Sequence, residues 1–555
     1  MRTTRRQFLK AAGAVSAAAL LGQLSRCAPS EPPPNVVVLF SDELSPDFLS
    51  CYGGDISTPN LDKLAAEGMR FTNAFTAAPM CTPSRFAVLT GTYPGRCSHP
   101  TFLEEYPYDQ PYSVAWNTFI DASIPTMARR LSENGYITGA TGKWHVGDLS
   151  DESLFPSLDV DADPADPDVD EQLREHQAAV CAQVKADAGF DQAINMSWDN
   201  FDTFPVKKLQ YHNFPWINQG AVQFLEQAKD VGKPFFLYAA TTAVHGPAHQ
   251  AMFNYDLSYT FGGHDPDVLN YMPPVKEIQQ RLENAPSWES HKLAGMACLD
   301  HHVGLVMETL EQLGVADNTL VIFIADHNVE PGKATAYHKG NHVPMLIKWP
   351  KHVQPGSVAD ALVQSTDLAP TLYQAAGISV QDPLDGQSLL PLLSDPSTRV
   401  HELIYLESGY TRALTDGRYK YIAFRPPQPA LNEMKTGTTR YAPNHLNVFK
   451  QAHSQIALEH YPHYFDADQL YDLENDPYEQ NNVANDPAYA EVLQRLKDEL
   501  ARRLTTFKHP FEIEADDFMT TETYDNLAAN TRAIGTDFIE WLPRDHGKIV
   551  WPPEE

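Results

Sequence analysis

Over 555 residues the chain carries 72 acidic against 41 basic side chains, a formal charge of −31 at pH 7. That balance leaves no general basic footprint for nucleic acid, so an anionic ligand must be drawn into a locally basic pocket against the net field. Hydrophobic residues make up 43%, which excludes a disordered chain, and the length allows one large domain with a smaller companion or three ordinary domains.

The N-terminus reads Thr4-Arg5-Arg6-Gln7-Phe8-Leu9-Lys10, then a small-residue apolar stretch from Ala11 to Leu21. Paired arginines before such a stretch indicate a twin-arginine export signal over residues 1–31 and a periplasmic or secreted protein. The stretch is too short for a comfortable transmembrane helix, and no other apolar run is long enough to span a bilayer. Cys27 follows Arg26, a bulky charged residue where a lipoprotein cleavage box takes a small one, so lipid anchoring there is the minor alternative. Cys51, Cys81, Cys97, Cys181 and Cys298 remain behind the leader. An odd number at irregular spacing is no disulfide framework.

After Pro32-Pro33-Pro34 the run Asn35 to Phe40 is a β-branched apolar block, the texture of a strand buried on both faces of a parallel sheet. It ends in Asp42-Glu43, at the strand end where open α/β sheets bind ligands. A helix is expected over Thr58–Gly68, and a second over about Ser123–Glu133. Residues 151–171 are rich in Asp and Pro and read as a solvated surface insertion, since the Gly and terminal Glu of a calcium-binding EF-hand loop are missing. Pro234–Ala240 is another buried strand running into His245-Gly246-Pro247. A long helix from His291 to Leu313 leads to the strand Leu320–Ala325, which ends in Asp326-His327-Asn328. Strands and helices alternate, so residues 32–400 are read as a large α/β domain with a doubly wound, mostly parallel sheet. From 401 to 555 short strands near Leu403–Leu406, Tyr419–Ile422 and Leu470–Leu473, with a helix from Ala488 to Leu504, suggest a smaller α+β domain.

Two strand ends carrying Asp42, Glu43, Asp326 and His327 make a candidate metal site, and three carboxylates suit a hard cation. Between them lies Cys81-Thr82-Pro83-Ser84-Arg85, continued by Leu89-Thr90-Gly91-Thr92-Tyr93-Pro94-Gly95-Arg96. Cys-x-Pro-x-Arg with this continuation resembles the signature of the type I sulfatases, whose fold is alkaline phosphatase-like. The resemblance runs over roughly residues 35–505, through Thr366-Asp367, Asp385-Gly386 and the Leu470-Tyr471-Asp472-Leu473 segment.

The resemblance implies that Cys81 is oxidised by a maturation enzyme to Cα-formylglycine, whose hydrate attacks sulfur and then expels sulfate as the aldehyde re-forms. It implies a calcium ion, with magnesium the lesser alternative, held by Asp42, Glu43, Cys81, Asp326 and His327. Glu43 stands where the family has a second Asp, and Asn328 where it often has Gly. Arg85 would hold the nucleophile and the metal carboxylates. Lys143 and His145 match a Gly-Lys-x-His element, lysine on the sulfate and histidine on the second hydroxyl. His245 matches a His-x-Pro element, the acid for the leaving oxygen, and Lys333 a second sulfate-binding lysine. His338 and His342 stand where the family often has Glu and Arg, as substrate contacts or surface variation. The implied activity is hydrolysis of a sulfate monoester, on a carbohydrate before an aryl compound. A phosphate or phosphonate monoester hydrolase of the same superfamily is the alternative, and a non-catalytic carbohydrate-binding protein the alternative of another class.

Overall fold

In a computed structural model the described residues are 32–148, 154, 157–246, 249–283, 290–329, 332–436 and 460–514. The export signal, Cys27 and Pro247 lie outside them. The central sheet has eight strands: β1 (Asn35–Ser41), β2 (Met69–Phe71), β3 (Ile137–Lys143), β4 (Gln192–Ser197), β5 (Phe235–Ala240), β6 (Thr319–Ala325), β7 (Met345–Lys348) and β8 (Ser357–Ala359). Their spatial order is β8-β2-β7-β6-β1-β5-β3-β4. Only β7 runs against the rest, pairing antiparallel with β2 and β6. The α/β reading therefore holds, and β1, β5 and β6 fall on the three apolar runs expected as buried strands.

β1 sits between β5 and β6, in register Val37↔Leu237 and Val37↔Val321, and all seven of its residues are buried. An apolar run without polar alternation suits this position because both faces are covered. Phe235 of β5 meets Phe224 of α5 (Phe214–Val231) with ring centroids 6.2 Å apart. Tyr238, of opposite parity on the same strand, packs with Phe40, over which the Arg85 guanidinium lies at 5.1 Å. Successive side chains of a strand point to opposite faces. Arg85 belongs to α2 (Cys81–Thr90), so α2 and α5 lie on opposite sides of the sheet. On the α5 side, α6 (Ser290–Gln312) packs against α5 and against α1 (Pro59–Glu67).

Two expectations shift. The helix expected from Ser123 is α3 (Met127–Glu133), delayed because the Thr126 side chain caps it by accepting from Arg129 N at 3.1 Å. The acidic insertion expected over 151–171 gives way at its end to α4 (Pro167–Ala188). Asp166 accepts from Asp168 N, Pro167 takes the first turn, and Asp168 and Asp170 suit the positive helix end. The acidic texture there is partly a helix start signal.

A second sheet is an antiparallel meander of β9 (Ile404–Ser408), β10 (Thr411–Thr415), β11 (Tyr419–Phe424) and β12 (Asp468–Asp472), with α7 (Ala490–Leu504) against it. The described cysteines, Cys51, Cys81, Cys97, Cys181 and Cys298, are all unpaired.

The end of β3 is shaped by Gly142. The pairing of β3 with β4 shifts register between Thr141 and Gly142, and Gly142 has φ +88°. A Cβ there would come within 1.9 Å of Ala240 O. Gly142→Ala is expected to cost about 2–4 kcal/mol. Gly232→Ala, at φ +69° with open space around it, should cost only about 1–2 kcal/mol of backbone strain. Chemical denaturation of both variants checks this, and equal losses would contradict the close approach.

Candidate active site

The C-terminal ends of β1 and β6 bring their acids together. Asp42 follows β1 and Asp326 follows β6, both fully buried, and the strand ends are tied by Asp326 N donating to Ser41 O at 3.0 Å. Asp326 Oδ1 accepts from Glu43 N at 2.9 Å and from His327 N at 2.8 Å. Cys81 arrives as the first residue of α2, whose N-terminal amides favour negative charge. Ser84 anchors that turn by donating Oγ–H to Asp326 O at 2.6 Å.

One donor atom from each of Asp42, Cys81, Asp326 and His327 lies within 4.8 Å of the others. His327 donates Nδ1–H to Asn328 O at 2.8 Å, leaving the Nε2 lone pair facing Cys81 Sγ at 3.3 Å. A carbonyl on one ring nitrogen is how a ligating histidine is usually oriented. The donor set therefore fits a metal ion. An oxygen in place of the Cys81 sulfur would turn two oxygens, a sulfur and a nitrogen into a harder set.

Positive charge surrounds these acids. Arg85, fully buried, donates from Nη2 to Asp42 Oδ2 at 3.3 Å and Asp326 Oδ2 at 3.2 Å, and from Nη1 to Lys143 O at 2.9 Å. Lys143 Nζ donates to Asp42 Oδ2 and to Asn200 Oδ1, both at 2.5 Å. Burial would push the Asp42 carboxyl up, but Lys143 and Arg85 outweigh it and hold it well below the usual carboxylate range. Burial likewise opposes charge on Lys143, and Asp42 overrides it, so its pKa is raised.

His145 takes φ +51° just past β3 and places Nε2 3.0 Å from Asp199 Oδ1. Burial alone would lower its pKa; Asp199 overrides this and raises it. Lys333 Nζ donates to Glu43 Oε2 at 2.5 Å, and the same oxygen lies 3.5 Å from His245 Nε2. His245 donates Nδ1–H to Gly246 O at 2.9 Å, and burial plus the Lys333 charge push its pKa down to about 3. Glu43, Asp199, Asn200 and His245 are half-buried and form the mouth over the buried cluster.

Most residues expected at the site meet here, but not all in the expected places. Glu43, expected among the metal ligands, is not in the four-donor cluster; at φ +56° its carboxylate turns to Lys333 and His245. His338 and His342 stack on each other at 4.6 Å and pack on Phe75. His342 Nε2–H donates to Thr72 O at 2.8 Å, and the charges acting on the pair are Lys339, Lys420 and Asp47, not those of the cluster. Asp199 and Asn200 were not anticipated. They follow β4 at its C-terminal end, so the strand-end rule that singled out Asp42 and Asp326 would have found them had β4 been recognised.

Asp199→Asn is expected to move the His145 titration midpoint to lower pH, because the carboxylate that favours imidazolium is gone. NMR titration of the ring proton checks this, and an unmoved midpoint would contradict the pairing.

A family model described as Sulfatase matches residues 34–378, and one for the C-terminal part of N-sulphoglucosamine sulphohydrolase matches 332–425. A model of the twin-arginine translocation signal sequence matches residues 2–22, so the chain carries an export signal. Among the described residues no helix is long and apolar enough to cross a membrane. Arylsulfatase A of Homo sapiens is 29% identical over 508 residues, covering 84% of this chain and 86% of that protein. The N-acetylgalactosamine-6-O-sulfatase of Bacteroides thetaiotaomicron is 26% identical over 542 residues, covering 84% and 92%. A solved structure of a protein in complex with its substrate D-glucosamine-2-N,6-O-disulfate aligns with TM-score 0.56 at 18% identity, covering 87% of this chain and 100% of that one. The phosphonate monoester hydrolase of Agrobacterium radiobacter aligns with TM-score 0.53 at 18% identity, covering 85% and 96%. At these identities the two solved structures speak for the fold.

Proposed function

The chain belongs to the sulfatase family and is a sulfuric ester hydrolase, and from that premise we propose that it removes sulfate from an exported-compartment sulfated carbohydrate, using Cys81 as the source of its nucleophile. The observation that carries this reading is the buried cluster of Asp42, Cys81, Asp326 and His327 at the N-terminus of α2, ringed by Arg85 and Lys143. Relatives named N-acetylgalactosamine-6-O-sulfatase and N-acetylglucosamine-6-O-sulfatase support a sugar substrate. The export signal supports action in the periplasm or outside the cell. A separate maturation enzyme would oxidise Cys81.

When present, Cα-formylglycine at position 81 supplies an oxygen nucleophile, and a hard cation, Ca²⁺ before Mg²⁺, supplies fixed positive charge beside it. Asp42, Asp326 and His327, with residue 81, would hold the cation. Arg85 keeps the two aspartates aimed at one point. An ammonium has three donors; Lys143 uses two, on Asp42 and Asn200, and offers the third to a sulfate oxygen. Lys333 offers a second contact by turning from Glu43. His145, held by Asp199 through Nε2, takes up or returns a proton at Nδ1, the nitrogen left without a partner. His245 is the acid for the leaving oxygen. In the structure its Nε2 is the bare nitrogen and its pKa is low partly because of Lys333 and Lys143. A sulfate bound between those lysines offsets their charge, so substrate itself favours protonation of Nε2.

Cys81→Ala is expected to lower sulfate release at least about a thousandfold, and Lys143→Ala or Lys333→Ala about a hundredfold or more. Free sulfate from a panel of sulfated sugars, with matched aryl sulfate and aryl phosphate, is the measurement. Preference for the phosphate, or an unmodified Cys81 thiol by mass spectrometry in active protein, would overturn the reading. Chelation is expected to lower both activity and melting temperature, with Ca²⁺ restoring both more fully than Mg²⁺. Calorimetry of stripped and reloaded protein checks the thermal half of that expectation.

A further inference from the structure

The loop after β4 brings a third polar side chain to the mouth besides Asp199 and Asn200. Phe201–Thr203 form one 3₁₀ turn that starts from Asn200, with Thr203 N donating to Asn200 O at 3.2 Å. Phe201 anchors the turn from below, buried edge-on against Phe261 at 4.8 Å and His212 at 5.8 Å. Asp202 is the next residue and is exposed, so the turn that buries Phe201 turns a carboxylate outward. Among the described residues, the Asp202 side chain makes no hydrogen bond or ion pair to another residue.

That carboxylate stands over the lysines that face the sulfate. Asn200, two residues earlier, holds Lys143 Nζ at 2.5 Å, and a 3₁₀ turn rises only about 2 Å per residue. The charges acting on Asp202 are those of Asp199, Lys143 and Lys333. Lys333 belongs to the chain after β6, and β3, β5 and β1 separate β6 from β4, roughly 19 Å at four inter-strand spacings. A residue within the field of both lysines therefore sits on a loop that leans back across the mouth. Lys207 and Lys208 follow on the same loop, and Lys208 is paired with Asp163 at 3.0 Å.

The two lysines are matched to one sulfate. Lys143 has one proton left for it, and Lys333 reaches it by turning from Glu43, whose carboxylate then keeps His245 at 3.5 Å. On the outward side of a bound ester stand the carboxylates of Asp202 and Glu43. A hydroxyl placed there gains a charge-assisted hydrogen bond. A second sulfate or a carboxylate placed there meets like charge, a repulsive element that sets specificity. The net charge of −31 adds to the same bias.

We propose that Asp202 is a specificity-determining residue: it accepts a hydrogen bond from a hydroxyl beside the sulfate ester and turns away substrates that carry a second anion there. The favoured sugar then bears one sulfate flanked by a free hydroxyl. The charge selection rests on the protein being a sulfatase, and the sugar on the reading that the substrate is a sulfated carbohydrate.

The test compares the mature full chain with its Asp202→Asn form, which keeps the size of the side chain and removes its charge. The probes are 2-hydroxyphenyl sulfate and 2-carboxyphenyl sulfate, and the quantity read is the ratio of their kcat/KM values within one preparation. Incomplete maturation, partial unfolding and the intrinsic reactivity of the two esters cancel when that ratio is compared between proteins. Asp202→Asn should shift the ratio toward the carboxyphenyl ester at least about fivefold, and rising NaCl should shrink the difference. Affinities of the Cys81→Ala protein for the two esters, with and without Asp202→Asn, give the same comparison without turnover. A ratio unmoved in both measurements would overturn the proposal. So would an equal shift from Glu175→Gln, an exposed carboxylate on α4, because the selection would then belong to the general field of the protein. If the sulfatase reading itself fails, neither ester is bound or turned over; if only the role of Asp202 fails, both are handled and the ratio stays put. Loss of the carbohydrate reading alone shows as absent sulfate release from sugars while the aryl ratio still shifts.

Discussion

The site depends on keeping Asp42 ionised with no access to water. A lone buried carboxylate would take up a proton, because desolvation of the charged form costs more than neutralisation. Lys143 and Arg85 prevent this, and they in turn are tolerable in the interior only because Asp42 and Asp326 face them. Removing any one partner leaves a buried charge uncompensated, the situation in which buried ion pairs are most damaging to lose. The network is therefore all or nothing. Its members come from β1, α2, β3 and the end of β6, so the central sheet must be complete before any of them is stable.

That dependence explains the layout. Parallel strands deliver their C-terminal ends to one edge, and polar residues placed just beyond those ends converge without long loops. α2 then brings Cys81 in at a helix N-terminus, with Ser84 pinned to Asp326 and Arg85 reaching across. The loop with Lys333 has no strand of its own and is held from both sides. Ala334 N donates to Pro79 O, and Ser408 Oγ donates to Ala334 O. Farther along, Tyr337 stacks on Tyr461 and donates to Gln469, while His338 N donates to Glu479, itself paired with the buried Lys420. The antiparallel sheet is thus a clamp on the loop that carries Lys333 as well as a separate packing layer. His338 and His342 belong to that clamp, stacked beside Phe75.

Much of this was legible along the chain. β1, β5 and β6 announce themselves because strands buried on both faces need unbroken apolar runs, and the acids after β1 and β6 are conspicuous against them. β4 was not legible. Gln192–Ser197 mixes polar and apolar residues because it is an edge strand, half-buried along most of its length. Asp199 and Asn200 were lost with it. Glu43 could not be placed from sequence for another reason: it stands next to Asp42, but a left-handed backbone conformation turns its carboxylate to Lys333 and His245.

What the sequence by itself determined is the chemistry on offer: the Cys81-to-Arg85 signature, the acids after two apolar strands, and lysines and histidines in a recognisable order. These are local features, readable because propensity and residue type act over a few positions. Only the tertiary structure decided which of those groups meet, that Asp199 and Asn200 join them, and that Glu43 pairs with Lys333. Side-chain direction and long-range contact are set by strand order and packing, and neither is written in the spacing of residues along the chain.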